Sequence, residues 1–159
     1  MRCDAHIFAQ MYETVYIDLY RFALCLMKNK QDAEDVVSEA VLKAYENIRS
    51  LKDKDAFKSW IFTITANTCK RRLRESAKRK NESIEDALTN MPSEESDYGM
   101  SIDIRRALMV LTEEERTIIG LSVFGGYSSR EIGRMLGLKD NTVRSKKVRA
   151  LEKMEYILK

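Results

Sequence analysis

A chain of 159 residues, 44% of them hydrophobic and with a net charge of only +3, can fill one ordinary core or two small ones, which excludes a disordered tail. One proline and six glycines leave long stretches in which apolar residues recur every three or four positions, so the chain is read as all-α. The uncharged run Thr117–Ser129, 13 residues, falls short of the roughly 20 that a membrane-spanning helix requires, and a single histidine, His6, leaves little for proton-transfer or metal chemistry.

The N-terminal residues run straight into an amphipathic pattern without the apolar stretch of a signal peptide, so a cytoplasmic location and no membrane insertion are expected. Phe8, Met11, Tyr12, Val15, Leu19, Phe22, Ala23 and Leu26 form one helical stripe that ends near Lys28-Asn29-Lys30. A second helix is expected to start with Asp32 as its N-cap. It turns Ala33, Val36, Val37, Ala40, Val41, Ala44 and Ile48 inward and an acidic face with Asp35, Ser38, Glu39 and Glu46 outward.

After the polar loop 49–55, a third helix carries Phe57, Trp60, Ile61, Ile64 and Thr68 on one face and Thr63, Asn67, Lys70, Arg71, Arg74 and Lys78 on another. Cations beside an aromatic and an amide suit single-stranded DNA, where phosphates are held and unstacked bases received; by spacing alone, Trp60 reads first as core. The segment 58–81 holds eight cations against one carboxylate, and 82–103 then holds seven carboxylates and no cation. The acidic stretch contains Pro92 and little periodicity, which makes it a linker between two helical domains.

Beyond the linker, Thr112-Glu-Glu-Glu115 has the form of a capping box opening a helix with Ile118, Ile119, Leu121 and Phe124, stopped by Gly125-Gly126. A second box, Ser128-Ser-Arg-Glu131, opens a short helix with Ile132, Met135 and Leu136 that Gly137 ends. The last helix, from Asp140 or Asn141, should turn Val143, Ala150, Leu151 and Met154 inward and Arg144, Ser145, Val148 and Arg149 outward. A short capped helix, a glycine turn and a longer basic helix form a helix-turn-helix, though a three-helix bundle that binds no DNA could share the pattern. Residues 139–153 hold six cations against two carboxylates. One basic face is ordinarily just solvated; two, in separate domains, suit a long polyanion.

Asp32-Ala-Glu-Asp-Val-Val-Ser-Glu-Ala, Trp60-Ile-Phe-Thr-Ile-Thr-Ala-Asn67, Tyr127-Ser-Ser-Arg-Glu-Ile-Gly-Arg-Met-Leu-Gly-Leu and Asn141-Thr-Val-Arg-Ser stand in the order of a known family. Over nearly its whole length the chain resembles the extracytoplasmic-function (ECF) sigma factors of RNA polymerase. The resemblance implies a region 2-like domain over 1–80, an acidic linker over 81–101 that threads the polymerase cleft, and a region 4-like helix-turn-helix domain over 102–159. It implies that Asp32, Asp35, Ser38 and Glu39 dock on core RNA polymerase. Leu51, Lys58, Trp60, Thr63, Asn67, Lys70, Arg71 and Arg74 would recognise and melt the minus-10 element, with a flipped base captured near the 51–57 loop. Lys139, Asn141, Thr142, Arg144, Ser145, Lys146, Val148 and Arg149 would read the minus-35 element. Core polymerase, promoter DNA and an anti-sigma factor are the implied partners of a chain expected to be monomeric when free.

Ser38 replaces the glutamine of many relatives, Leu51 an aromatic residue, Asn141 a glycine, Lys147 an apolar residue, and Arg71 an acidic one, so the promoter sequence does not carry over from a relative. A stand-alone helix-turn-helix regulator is the alternative. Neither a phosphate-cradling glycine loop nor a nucleophile–base arrangement is found, so no enzymatic activity and no cofactor are expected. Cys3, Cys25 and Cys69 have no metal-ligand spacing and read as reduced thiols.

Overall fold

The computed structural model describes residues 5–79 and 100–159. The linker lies outside the described residues except for its last two positions, as does Cys3. The described residues form seven α-helices: α1 (Ala5–Leu26), α2 (Lys30–Glu46), α3 (Phe57–Arg79), α4 (Ile102–Met109), α5 (Glu113–Val123), α6 (Ser129–Leu136) and α7 (Asp140–Leu158). Two single-turn 3₁₀ segments, Ile48–Ser50 and Lys54–Ala56, carry the chain from α2 to α3.

Helices α1, α2 and α3 form the first unit, each burying the apolar stripe that its period places inward. Leu19, Val36 and Ile61 are wholly buried there, and a large aliphatic side chain so placed contributes about 1.5–3 kcal/mol. Helix α2 starts three residues earlier than expected. Its N-cap is Asn29, whose side-chain oxygen accepts the Asp32 N–H at 2.8 Å while its amide donates to the Asp32 carboxylate at 3.1 Å. Asp32 therefore sits in the first turn, where a carboxylate favours the helix dipole.

Helices α4 to α7 form the second unit. Ser101 caps α4, and both anticipated capping boxes are present, Thr112 with Glu115 and Ser128 with Glu131. Gly137 ends α6 at φ 72°, a left-handed cap that a residue with a Cβ adopts only under strain. Between α6 and α7 the turn is tight: the Leu138 N–H donates to the Gly133 carbonyl at 2.8 Å.

The two units pack directly on one another, α5 lying against α1 and α3. A Cβ on Gly120 would lie 2.6 Å from Phe22 Cδ1, so the close approach of α5 to α1 depends on that glycine. Phe22 meets Phe62 at 5.3 Å between ring centroids, and Phe62 meets Tyr127 edge-on at 5.9 Å. The Cys25 thiol donates to the Arg116 carbonyl at 3.6 Å, and Arg105 donates to the Lys28 carbonyl at 3.3 Å. Burial pushes the Cys25 thiol up to about 12, which keeps it protonated and unreactive.

Candidate nucleic-acid interface

Helix α3 presents Asn67, Lys70, Arg71 and Arg74 to solvent at spacings of three and four residues, which makes one cationic face with an amide in it. Lys70 and Arg74 have no carboxylate partner among the described residues, whereas Arg71 is bridged to Glu39 and, at 2.9 Å, to Glu75. Trp60 is half-buried with its ring 6.2 Å from that of Phe57, and Thr63 is half-buried with its hydroxyl donating to the Ser59 carbonyl at 2.8 Å. Leu51 is only 5% exposed, so its side chain belongs to the core and not to a surface that a base could touch while the loop keeps this shape. The exposed part of that loop is 52–56.

Lys58 is engaged across the boundary between the units. Its ammonium donates to the Gly125 carbonyl at 2.8 Å and lies 5.4 Å from the centre of the Tyr127 ring. Asn67 and Lys70 face a cleft of about 290 Å³ whose other wall carries Glu113, Glu114 and Leu138 of the second unit. Part of the cationic face of α3 thus looks across at carboxylates.

On α7, Arg144, Ser145, Val148 and Arg149 are all exposed and form two adjacent rows, 144–148 and 145–149. Arg144 donates to the Asn141 side-chain oxygen at 3.2 Å; Arg149 has no ion pair among the described residues. Thr142 is half-buried, Lys139 and Asn141 are exposed at the start of the helix, and Lys146 pairs with Glu114 at 2.5 Å. Lys153 reaches the buried Glu115 at 2.8 and 3.1 Å. Burial would raise the Glu115 pKa, but Lys153 and the Thr112 N–H favour the charged form and hold it below the ordinary carboxylate range. This ion pair fixes α7 to α5 and thereby aims the exposed rows.

Of the residues expected on the acidic face of α2, Asp35 and Ser38 are exposed, Asp32 is held in the cap with Asn29, and Glu39 is shared between Arg71 and Arg72. Three features escaped the sequence reading: the Glu39 bridge, the burial of Phe62, and the exposure of Leu151 at 46%. Leu151 was expected inward, yet it joins Tyr156 and Leu158 on an open apolar end of α7. The first two depend on contacts between elements that no single-helix period reports. The third follows from helical spacing: Leu151 continues the outward row of Arg144 and Val148, while Ala150 and Met154 beside it turn inward.

Family models place the same organisation on the chain. Sigma-70 region 2 matches residues 11–79 and Sigma-70 region 4 matches residues 101–154. RNA polymerase sigma factor SigV of Bacillus subtilis is 31% identical over 142 residues, covering 89% of this chain and 84% of that protein. ECF RNA polymerase sigma factor SigM of Mycobacterium tuberculosis is 29% identical over 155 residues, covering 98% and 79% respectively. Among solved structures, the sigma factor RpoE in complex with the anti-sigma factor NepR, from Bartonella quintana, aligns with a TM-score of 0.80 at 25% identity over 95% of this chain and 96% of that one. CnrH in complex with the cytosolic domain of CnrY aligns with a TM-score of 0.72 at 22% identity, over 98% and 89%, and shares the fold.

Proposed function

The chain belongs to the ECF sigma factors of RNA polymerase, and we propose that its two units divide the promoter between them, α3 taking the minus-10 strand and α7 the minus-35 duplex. The observation that carries this reading is the pair of exposed cationic helix faces, one per unit, the second presented by a helix-turn-helix.

On α3, Lys70, Arg71 and Arg74 hold phosphates, Asn67 and the edge of Trp60 receive an unstacked base, and Thr63 and Lys58 flank them. Unstacking costs a few kcal/mol, which contacts to the extruded base and its strand offset, so melting is driven by binding. On α7, Arg144, Ser145, Val148 and Arg149 face base edges, while Lys139, Asn141, Thr142 and Lys146 lie toward phosphates. Asp35 and Ser38, with Asp32 and Glu39 beside them, form the acidic face that docks on core polymerase. The described residues contain no helix long and apolar enough to cross a membrane, and the factor acts in the cytoplasm, as a monomer when free, where polymerase and promoter are found.

The packed arrangement of the two units is a resting state. The centres of the two promoter elements lie about 25 base pairs, or roughly 85 Å, apart along the duplex, so units in direct contact cannot engage both. Opening frees Lys58 from Gly125 and moves Glu113 and Glu114 away from the part of the α3 face that they now stand opposite. The RpoE neighbour, solved with an anti-sigma factor, matches this chain across both units, which favours an anti-sigma partner that holds the packed form.

The test is to add the purified protein to core RNA polymerase and genomic DNA fragments and map RNA 5′ ends. Discrete starts that depend on the protein and share two upstream elements are expected. No dependent start and no core binding, with tight duplex binding by the protein alone, would instead establish a stand-alone regulator.

A further inference from the structure

Glu39 differs from its neighbours on the outer face of α2. Asp35, one turn before it, and Ser38, next to it in sequence, are exposed and have no side-chain partner among the described residues. Both oxygens of Glu39 are occupied: one takes a nitrogen of Arg71, and the other takes Nη2 of Arg72 at 3.0 Å. Arg71 and Arg72 are consecutive residues on α3, so their side chains leave the helix about 100° apart, and one carboxylate gathers both. Lys70 and Arg74, beside them, have no carboxylate partner among the described residues.

The residue that belongs by position to the docking face is therefore engaged by Arg71 of the nucleic-acid face and by the adjoining Arg72. The Glu39 and Arg71 side chains are 36% and 49% exposed, so the bridge faces solvent, and exposed ion pairs are weak and readily exchanged. A third cation brought to Glu39 competes on nearly equal terms with the two already there. Burial would raise the Glu39 pKa, but Arg71 and Arg72 outweigh it and hold the carboxyl below its ordinary range, so it is ionised at neutral pH.

We propose that Glu39 is a positioning residue that couples docking to strand binding: in the free chain it restrains Arg71 and Arg72, and a basic partner surface settling on α2 displaces them toward strand phosphates. The proposal rests on the reading of α2 as the polymerase-docking face. Because coupling of two binding events is reciprocal, strand binding must tighten docking by the same factor.

The experiment is a cycle on the full chain, with a fluorescent 20-nucleotide oligothymidylate as the probe. Glu39→Gln should bind it more tightly than wild type and steepen the log–log salt dependence by about 0.7 to 1.4, the increment for one to two further phosphate contacts to a single strand. Glu34→Gln removes the same charge from an exposed position on α2 and should leave the slope unchanged. In an Arg71→Gln/Arg72→Gln background the effect of Glu39→Gln should vanish, and in the holoenzyme its gain on a forked minus-10 probe should vanish as well. Equal slopes for Glu39→Gln and Glu34→Gln, or a gain that survives loss of both arginines, would overturn the restraint. An undiminished gain in a holoenzyme that does form would overturn the release step alone, whereas failure of the wild-type chain to bind core enzyme would sink the docking reading and the release step with it.

Discussion

Lys58 and Tyr127 meet across the boundary between the two helical units, the ammonium 5.4 Å from the centre of the ring and hydrogen-bonded at 2.8 Å to the carbonyl of Gly125, two residues before it. The same ring stands edge-on to Phe62 at 5.9 Å. An aromatic pair contributes about 0.5–1.5 kcal/mol beyond its buried area, and an exposed cation–π contact about 0.5–1 kcal/mol. Tyr127→Ala should therefore loosen the packing of the units by roughly 1–2.5 kcal/mol, seen as an increase in the radius of gyration by small-angle scattering. The Tyr127 hydroxyl is buried with no hydrogen-bond partner among the described residues, so Tyr127→Phe should leave stability unchanged or raise it slightly. A compact Tyr127→Ala chain, or a destabilised Tyr127→Phe chain, would contradict this account of the boundary.

Gly133 sets the spacing of the helix-turn-helix. A Cβ there would lie 2.6 Å from the Leu138 carbonyl oxygen, a backbone atom with little freedom to move, since the Leu138 N–H is bonded back to Gly133. Gly133→Ala should cost about 1–3 kcal/mol of stability by urea denaturation, and it should shift α7 relative to α6. The open glycine Gly126 gives the contrast: among the described residues nothing lies within 4 Å of a Cβ there, so Gly126→Ala should cost only the strain of its φ of 74°, about 1 kcal/mol.

Local relations were legible in the sequence and long-range ones were not. The boxes Thr112–Glu115 and Ser128–Glu131 are i, i+3 relations that a reader can see, and both stand in the structure. At α2, Asn29 and Asp32 are both good capping residues at the same spacing, and the choice between them turns on where the chain leaves α1. Helix α4 passed unread because its eight residues are fewer than the window over which a helical period shows. Phe62 falls off the inward face of α3 by helical spacing, yet it is wholly buried because the second unit covers it. The residues of the candidate interface were readable as cation-rich faces; that Glu39 would bind Arg71 and Arg72, 32 and 33 positions away, was not.

Glu115 makes the stability of the second unit depend on pH. Its folded pKa is lowered, so its contribution is fully present above the unfolded carboxylate value and is lost as pH falls through the folded one. Glu115→Gln keeps an acceptor for the Thr112 N–H but removes the charge that holds Lys153. The variant should be about 1 kcal/mol less stable than wild type at pH 7, and the difference should shrink as pH drops below the ordinary carboxylate range. A gap in melting temperature that stays constant from neutral to acidic pH would show that the ion pair contributes nothing.

Asn67 is exposed on α3 beside Lys70, at the edge of the cleft between the units. An amide in that place can hydrogen-bond the edge of an extruded base, and it has no role in the core. Asn67→Ala should slow promoter opening while leaving the affinity for core polymerase intact. Permanganate reactivity of minus-10 thymines measures the opening directly, and unchanged reactivity would remove Asn67 from the base-binding set.

Arg149 is the sharpest probe of sequence reading, because Arg144 is partly occupied by Asn141 and Lys146 by Glu114, while Arg149 is exposed and has no ion pair among the described residues. A guanidinium in the major groove can bond guanine bidentately, and losing one such contact costs about 1–3 kcal/mol at a single base position. Arg149→Ala should therefore weaken holoenzyme binding to the cognate minus-35 element by that amount and relax the preference at one base pair. Lys139→Ala should weaken cognate and scrambled sequences alike, because a cation at the start of α7 meets phosphate and carries no base preference. Binding titrations on both sequences separate the two roles: an equal loss on scrambled DNA for Arg149→Ala would reduce it to a second phosphate contact and move the reading of bases to Arg144, Ser145 and Val148.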